Sequence, residues 1–141
     1  MLNKLPSLIK PTLTTKFHID FDWWKNQDRN WRNALESFLC EEHQLLFKNK
    51  DFPIEADLVS LTTGEVTQGD VILHTLTHHC ARQDGFISPS GPLVDTIFKV
   101  FLVNDNQALN AEELASLTGR QAEIILRTIG TTKVYKGIRP V

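Results

Sequence analysis

The chain has 141 residues, of which 41% are hydrophobic and 23% are charged, and its formal net charge is −2. This length suits one domain or two small lobes, and this composition is that of a folded globular protein, which excludes wholesale disorder. No apolar run approaches the roughly 20 residues that cross a bilayer, and residues 1–15 lack the apolar core of a secretory signal. We therefore expect a cytoplasmic protein without a membrane partner.

The amino-terminal region is predicted to contain a leader, a strand and a helix. Residues 1–15 include two prolines among polar side chains, which suggests an extended leader. Residues 16–24, KFHIDFDWW, alternate between two faces and predict a half-buried strand. Apolar side chains then recur at helical spacing in RNWRNALESFLCEEHQLLF, so we expect one amphipathic helix over residues 29–47.

Two more elements complete the predicted amino-terminal lobe, residues 16–84. Residues 56–66, ADLVSLTTGEV, combine a strand, a Thr-Gly turn and a short return strand, which predicts a hairpin. Asp70 is predicted to cap a second helix that runs through Ala81. This lobe is therefore a strand, a helix, a hairpin and a helix, and the glycine- and proline-rich residues 81–92 mark its boundary.

The remaining elements form a series of short helices. Apolar positions at i, i+3, i+4, i+7 and i+8 predict an amphipathic helix over residues 93–103. Asn110 is a good N-cap, and Glu113 is placed to complete a capping box at the start of the next helix. Gly119 is expected to end that helix in a left-handed conformation. Another helix then covers about residues 120–129, and a β-prone, basic segment follows it.

This order of elements, with the motif NAEELASLTGRQAEIILRTI and the strand at KVYKGI, resembles the winged helix-turn-helix family over residues 93–141. The resemblance implies an α+β fold with a winged-helix-like C-terminal lobe, in which the second helix of the pair enters the major groove of duplex DNA. It also implies a nucleic-acid-binding surface. The corresponding residues are Arg120, Gln121, Arg127 and Thr128, with Lys133, Lys136 and Arg139 as phosphate contacts.

The resemblance predicts a small, non-enzymatic nucleic-acid-binding or regulatory protein. Three departures keep open an alternative, in which the winged helix docks on protein as an adaptor or a small subunit of a larger assembly. Glu123 places a carboxylate on the reading face, the chain is mildly acidic overall, and Val141 leaves little room for the returning strand of a wing. If the protein binds nucleic acid, the amino-terminal lobe is expected to supply homodimerisation or partner contact. Trp24, on the acidic side of the predicted strand, is expected to anchor a partner, and the alternative is a packed aromatic corner of Trp23, Trp24 and Trp31 under the leader.

Two cysteines and two histidines form a candidate metal site. Cys40, His43, His79 and Cys80 are the ligand types of a structural, tetrahedral zinc site. Cys40 and His43 share a helix face, but His79 and Cys80 would diverge by about 100° on a helix and can bind one ion only if the helix ends there. The alternative is a buried core thiol at Cys80 with solvated histidines.

A second polar cluster suggests a third function. His18, Asp20 and Asp22 lie on one face of the predicted strand and could hold Mg²⁺ or Mn²⁺ for a metal-dependent phosphodiesterase. Such residues on an edge strand also form an ordinary solvated face. The sequence contains no nucleophile triad, phosphate-binding glycine loop or dinucleotide fingerprint, so the main expectation is a protein without enzymatic activity.

Overall fold

The structure is a computed structural model that describes residues 10–48, 54–60 and 62–141. The elements are β1 (Phe17–Ile19), α1 (Phe21–Gln27), α2 (Trp31–Ser37), α3 (Glu41–Lys48), β2 (Glu55–Val59), β3 (Val66–Asp70), α4 (Val71–His78), α5 (Leu93–Val103), α6 (Ala111–Thr118), α7 (Ala122–Ile129) and β4 (Ile138–Pro140). The predicted α+β class is confirmed. Among these described helices, each is too short or too polar to traverse a lipid bilayer.

The described chain forms two compact units. The terminal unit combines residues 10–29 with Ile87–Val141, and the central unit is Asn30–Phe86. This division differs from the predicted lobes, because β1 and α1 belong with the C-terminal helices. Most of the predicted leader, residues 1–9, lies outside the described residues. The remainder of the leader contains a turn, in which the Thr15 N–H donates to the Thr12 carbonyl over 3.0 Å.

The helices of the terminal unit follow the local signals in the sequence. The helix α5 has the predicted bounds, and its apolar stripe is buried from Ile97 to Leu102, while Val94 is half-buried. At the start of α6, the Asn110 side chain accepts from the Glu113 N–H over 2.8 Å, and the Glu113 carboxylate accepts from the Asn110 N–H over 2.9 Å. The predicted capping box is therefore confirmed. Gly119 has a φ of 75°, which explains why glycine ends this helix.

A small antiparallel sheet joins the two ends of the terminal unit. Strand β1 pairs with β4, with Phe17 opposite Pro140 and Ile19 opposite Ile138. On its other edge, the Phe17 N–H donates to the Leu109 carbonyl over 2.8 Å, and Phe17 accepts from the Leu109 N–H over 3.0 Å. Phe17 and Ile19 are fully buried, so β1 is the central strand of this small assembly.

The strand β4 pairs with β1, a strand from the amino-terminal part of the chain. A tight turn with positive φ at Lys136 (51°) and Gly137 (76°) reverses the chain, and the Ile138 N–H donates to the Tyr135 carbonyl over 2.9 Å. Beyond this turn β4 pairs with the distant β1.

The predicted strand over residues 16–24 is wrong beyond Ile19. Asp20 ends the strand because its side chain accepts from the Trp23 N–H over 3.0 Å and so caps α1. The Asp20 N–H meanwhile donates to the Gly137 carbonyl over 2.8 Å. Residues 21–24 are thus helical, and the alternation that placed His18, Asp20 and Asp22 on one face does not continue.

In the central unit, the single helix predicted over residues 29–47 is two helices. The break follows α2, where the Phe38 N–H donates to the Leu35 carbonyl over 3.0 Å. The Gln44 side chain reaches back and donates to the Leu39 carbonyl over 2.9 Å, which satisfies a backbone acceptor at the break. Because the register changes there, Leu45 is 64% exposed although the sequence pattern placed it on the apolar face.

The hairpin and the helix that follows it were predicted with small differences in length. Strands β2 and β3 pair over five residues each, so the return strand is longer than expected. Asp70 caps α4 as predicted and accepts from the Leu73 N–H over 2.9 Å. It also pairs with Arg32 of α2 over 2.5 Å. The helix ends at His78 rather than at Ala81, and a 3-10 turn, Cys80–Arg82, follows it.

We expect Asn110→Ala to lower the free energy of unfolding by about 1 kcal/mol, because the side chain that accepts from the first turn of α6 is removed. Ser116→Ala, at an exposed position of the same helix, is the matched control and should change stability by only a few tenths of a kcal/mol. Urea denaturation followed by circular dichroism measures both. Equal losses in the two variants would contradict the importance of the cap.

Stability should also depend on pH through Glu113. Its hydrogen bond with the Asn110 backbone, and then the Lys16 ammonium, lower the pKa of this carboxyl from its ordinary value of 4.5. Its contribution to stability is therefore complete above that value and is lost as the pH falls through the lower, folded-state pKa. The stability difference between the protein and Glu113→Gln should shrink between pH 6 and strongly acidic pH in urea titrations. A difference that is constant with pH would be inconsistent with this linkage.

Candidate functional site

The helix-turn-helix of the terminal unit has a distinct outward face. Ile125 and Ile129 of α7 are buried, whereas Ile124 and Arg127 of the same helix and its N-cap residue, Gln121, are exposed. Ile124 is 40% exposed, and Leu117, near the end of α6, is 57% exposed. The surface that the resemblance assigns to nucleic acid therefore carries apolar side chains as well as polar ones.

Two of the predicted nucleic-acid contacts are engaged within the terminal unit. The Arg120 guanidinium donates to the carbonyls of Pro89, over 3.2 Å, and Gly91. The Lys136 ammonium lies 3.9 Å from the Asp95 carboxylate. Both cations reach groups near the start of α5, so they help to hold the loop and helix in place. The sequence offers no sign of these partners, which lie about 30 to 40 positions away along the chain.

Arg139 is engaged most completely. Its guanidinium donates to the Asp20 carboxylate over 3.0 Å and lies 4.7 Å from the centre of the Trp23 ring. Strand pairing explains this contact, because β4 runs beside β1 and brings Arg139 to the start of α1. Both the ion pair and the stacked ring reduce the availability of Arg139 for a phosphate.

The other predicted contacts remain at the surface. Arg127 is exposed and makes no ion pair with any residue that the structure describes. Lys133 is exposed, with its ammonium 5.1 Å from the centre of the Tyr135 ring. Thr128 is half-buried and its hydroxyl donates to the Ile124 carbonyl over 2.8 Å. Glu123 is exposed on the same helix, so the positive charge left on this surface is small.

Trp24 is not the exposed partner anchor that the sequence predicted. It is only 3% exposed, and its ring packs edge to face against Phe98 with centroids 5.6 Å apart. Its indole N–H donates to the Asp28 carboxylate over 3.1 Å. A Cβ at Gly137 would lie 2.9 Å from the Trp24 Cβ, so the chain passes very close to this side chain. The prediction failed because Trp24 lies in a helix, where strand alternation does not apply.

The carboxylates of the predicted phosphodiesterase cluster have structural roles or lie apart. Asp20 caps α1 and pairs with Arg139, while Asp22 is exposed in the first turn of the same helix. Asp20 therefore has its oxygens directed to a backbone N–H and to a guanidinium. This arrangement does not present two carboxylates on a strand face for a divalent cation.

The predicted cysteine and histidine residues come together in the central unit. The Cys40 Sγ lies 3.4 Å from the Cys80 Sγ and 3.1 Å from the His43 Nδ1. The Cys80 Sγ is 3.7 Å from the same nitrogen. The rings of His43 and His79 have centroids 4.4 Å apart. We call these four side chains the cysteine-histidine cluster.

Local backbone structure makes this cluster possible. The break after α2 places Cys40 immediately before α3, with His43 one turn further along. The helix α4 ends at His78, and His79 has φ of −125° and ψ of −64°, which is not helical. His79 and Cys80 therefore escape the divergence expected of neighbours on a helix, so the condition set by the sequence is met.

Sequence reasoning missed one potential ligand in this region. Ligand atoms of Glu42, Cys40, His43 and His79 all lie within 4.8 Å of one another, and this set of four does not include Cys80. No spacing signal could have selected Glu42, because it is one of two adjacent acidic residues in a helical first turn, where acidic side chains are common for electrostatic reasons.

The environment of Cys80 differs from that of an exposed thiol. Desolvation of the buried sulfur is the largest cause that raises the pKa of this thiol to about 11. The group is therefore a neutral thiol at physiological pH in the absence of a nearby cation, and a coordinated cation would favour its thiolate. The cluster can act either as a set of hydrogen-bonded core groups or as a set of soft metal ligands.

Comparison with known proteins does not assign the chain to a family. It matches no protein-family model, no curated protein and no solved structure. The resemblance to winged helix-turn-helix proteins thus stays a prediction, and a functional proposal must depend on the geometry of the residues described above.

We expect Trp24→Ala to reduce the free energy of unfolding by about 3 to 5 kcal/mol, the usual cost of removing a large buried aromatic side chain. Trp23→Ala should cost about 1 kcal/mol, since its main described contact is with the Arg139 guanidinium at the surface. Urea denaturation of the two variants provides the comparison. A larger loss for Trp23→Ala would contradict the assignment of Trp24 to the core.

Proposed function

We propose that the protein is a non-enzymatic protein-interaction module, an adaptor or a small subunit of a larger assembly, which docks through the outward face of α7. One observation carries this proposal. The centre of that face is the exposed side chain of Ile124, whereas Arg120, Lys136 and Arg139 are engaged inside the terminal unit.

The energetics of this face favour a protein partner. Full burial of an aliphatic side chain contributes about 1.5 to 3 kcal/mol, so covering the 40% of Ile124 that is exposed would contribute about 0.6 to 1.2 kcal/mol. An exposed ion pair contributes about 0.2 to 1 kcal/mol. Ile124 with flanking Gln121, Arg127 and Thr128 provides an apolar centre with a polar margin. That arrangement is the usual anatomy of a protein-protein interface, in which an apolar core is surrounded by polar residues.

Electrostatics argue in the same direction. Much of the affinity of DNA-binding proteins comes from Lys and Arg side chains that neutralise several phosphates. The cations that stay exposed near this face are Arg127 and Lys133, and Glu123 lies on the same helix. A polyanion would gain little from two cations opposed by one carboxylate, on a chain whose net charge is −2.

A nucleic-acid-binding function is the second candidate. It is favoured by the exposure of Gln121 and Arg127 on one face of α7, together with exposed Lys133 in the segment that follows. These are positions to which the winged-helix resemblance assigns base and phosphate contacts. Duplex DNA is the nucleic acid that this candidate predicts.

Two variants of α7 separate the candidates. For a protein-docking face, we expect Ile124→Asp to abolish capture of a stoichiometric partner by the tagged full chain, while Arg127→Ala preserves it. Capture should persist between about 0.1 and 0.5 M salt, because burial of apolar surface is not screened by ions. Leu45→Asp, an equally drastic change at a 64% exposed position of the central unit, is the control that should leave capture intact.

Fluorescence anisotropy with labelled duplex DNA tests the second candidate. Binding that weakens steeply with salt and is lost in Arg127→Ala would support the nucleic-acid function and contradict the adaptor proposal. Capture that survives in Ile124→Asp would also contradict it. If the captured partner is a second copy of this chain, the module forms a homodimer through α7 and not through the amino-terminal lobe, to which the sequence assigned dimerisation.

A further inference from the structure

We propose that the central unit binds one zinc ion through Cys40, His43, His79 and Cys80, as a structural tetrahedral site. The proposal is independent of the docking face on α7, which belongs to the terminal unit. It concerns a chemical property of residues that the proposed interaction function does not use.

The distances within the cysteine-histidine cluster are close to those of a zinc tetrahedron. With Zn–S near 2.3 Å and Zn–N near 2.0 to 2.1 Å, two ligand sulfurs are separated by about 3.8 Å, and a sulfur and a nitrogen by about 3.5 Å. The structure has 3.4 Å between the two sulfurs, and 3.1 and 3.7 Å from them to the His43 Nδ1. Shifts of a few tenths of an ångström would therefore accommodate the ion between these three atoms.

His79 is the fourth ligand in this proposal. Its ring lies against the His43 ring, and its Nε2 is 3.3 Å from the Gln83 side-chain nitrogen. The Nδ1 of His79 is thus left for the ion, which places the ring proton on Nε2. That N–H needs an acceptor, so Gln83 would serve as the outer hydrogen-bonding group with its amide turned to present the oxygen rather than the nitrogen. Glu42, which lies close to Cys40, His43 and His79, is the competing ligand, and both Glu42 and His79 are exposed. The choice of Cys80 over Glu42 rests on ligand chemistry, because two sulfur ligands with two imidazoles form a common structural zinc set.

The position of the cluster explains what the ion would do. Cys40 and His43 lie at the start of α3, whereas His79 and Cys80 follow the end of α4, and the two pairs are separated by the β2–β3 hairpin. One ion would therefore crosslink distant parts of a unit that is too small to have an extensive apolar core. Because four side chains fill the tetrahedron, there is no open position for substrate, and the role is structural.

The first test is the metal content of the untagged full chain after expression with added zinc. We expect about one zinc per chain by plasma mass spectrometry, and a value near zero for Cys40→Ser and Cys80→Ser. His78→Asn is the matched control, because His78 neighbours the cluster but is exposed and stacks on His74. Its zinc content should remain near one. A value near zero for the unmodified chain, or unchanged zinc in both cysteine variants, would overturn the proposal.

Cobalt substitution keeps the test decisive if the cysteine variants fail to fold. The unmodified chain is stripped with a chelator under reducing conditions and titrated with Co²⁺. We expect a thiolate-to-cobalt absorption band in the near ultraviolet and intense visible bands of a tetrahedral ion, both abolished by added Zn²⁺. Weak octahedral bands without the thiolate band would refute the site.

The fourth ligand is resolved by a pair of variants measured in the same way. His79→Asn should alter the visible cobalt bands and weaken zinc binding at least tenfold, whereas Glu42→Gln should change neither. The reverse result would assign Glu42 in place of His79 and overturn the proposed ligand set. Thiol titration of the chelated, unfolded chain should find both cysteines free, and their recovery as a disulfide would contradict the zinc site.

Discussion

The terminal unit depends on the insertion of β1 between the Leu109 segment and β4. Phe17 exchanges two backbone hydrogen bonds with Leu109 on one edge, while β4 pairs along the other. The Asn106 side chain extends this pairing, because its amide accepts from the Ile19 N–H and donates to the Ile19 carbonyl, both over 2.8 Å. Three separate parts of the chain are thereby held by one three-residue strand, whose two apolar side chains are fully buried.

The same closure determines which charges remain at the surface. Because β4 runs antiparallel to β1, Arg139 lies beside Asp20 and Trp23, and the turn before β4 places Lys136 near Asp95. Basic residues that look available in the sequence thus stabilise the fold. The physical basis of the proposed docking function is that these basic side chains are engaged by groups of the terminal unit, whereas Ile124 on the outward face of α7 stays exposed.

In the central unit, irregular backbone is as important as regular structure. The interruption between α2 and α3 and the early end of α4 each change the direction of the following side chains. In two continuous helices, the side chains of His79 and Cys80 would diverge by about 100° around the helix axis. Cys40 would then lie inside a helix and not immediately before α3. The cysteine-histidine cluster, and with it the proposed zinc site, therefore exists because both helices stop short of the lengths that their apolar periodicity predicted.

Local signals determined a large part of this structure from the sequence alone. The bounds of α5, the capping box at Asn110, the glycine end of α6 and the hairpin before Asp70 all depend on residues within a few positions of one another. The members of the cysteine-histidine cluster were also predicted, because their side-chain chemistry is distinctive. Only the tertiary structure decided where β1 ends, that Trp24 is buried and that Arg139 is engaged. Those outcomes depend on contacts such as Asn106 with Ile19 and Arg139 with Asp20, 87 and 119 positions apart, which no periodic pattern within the chain encodes.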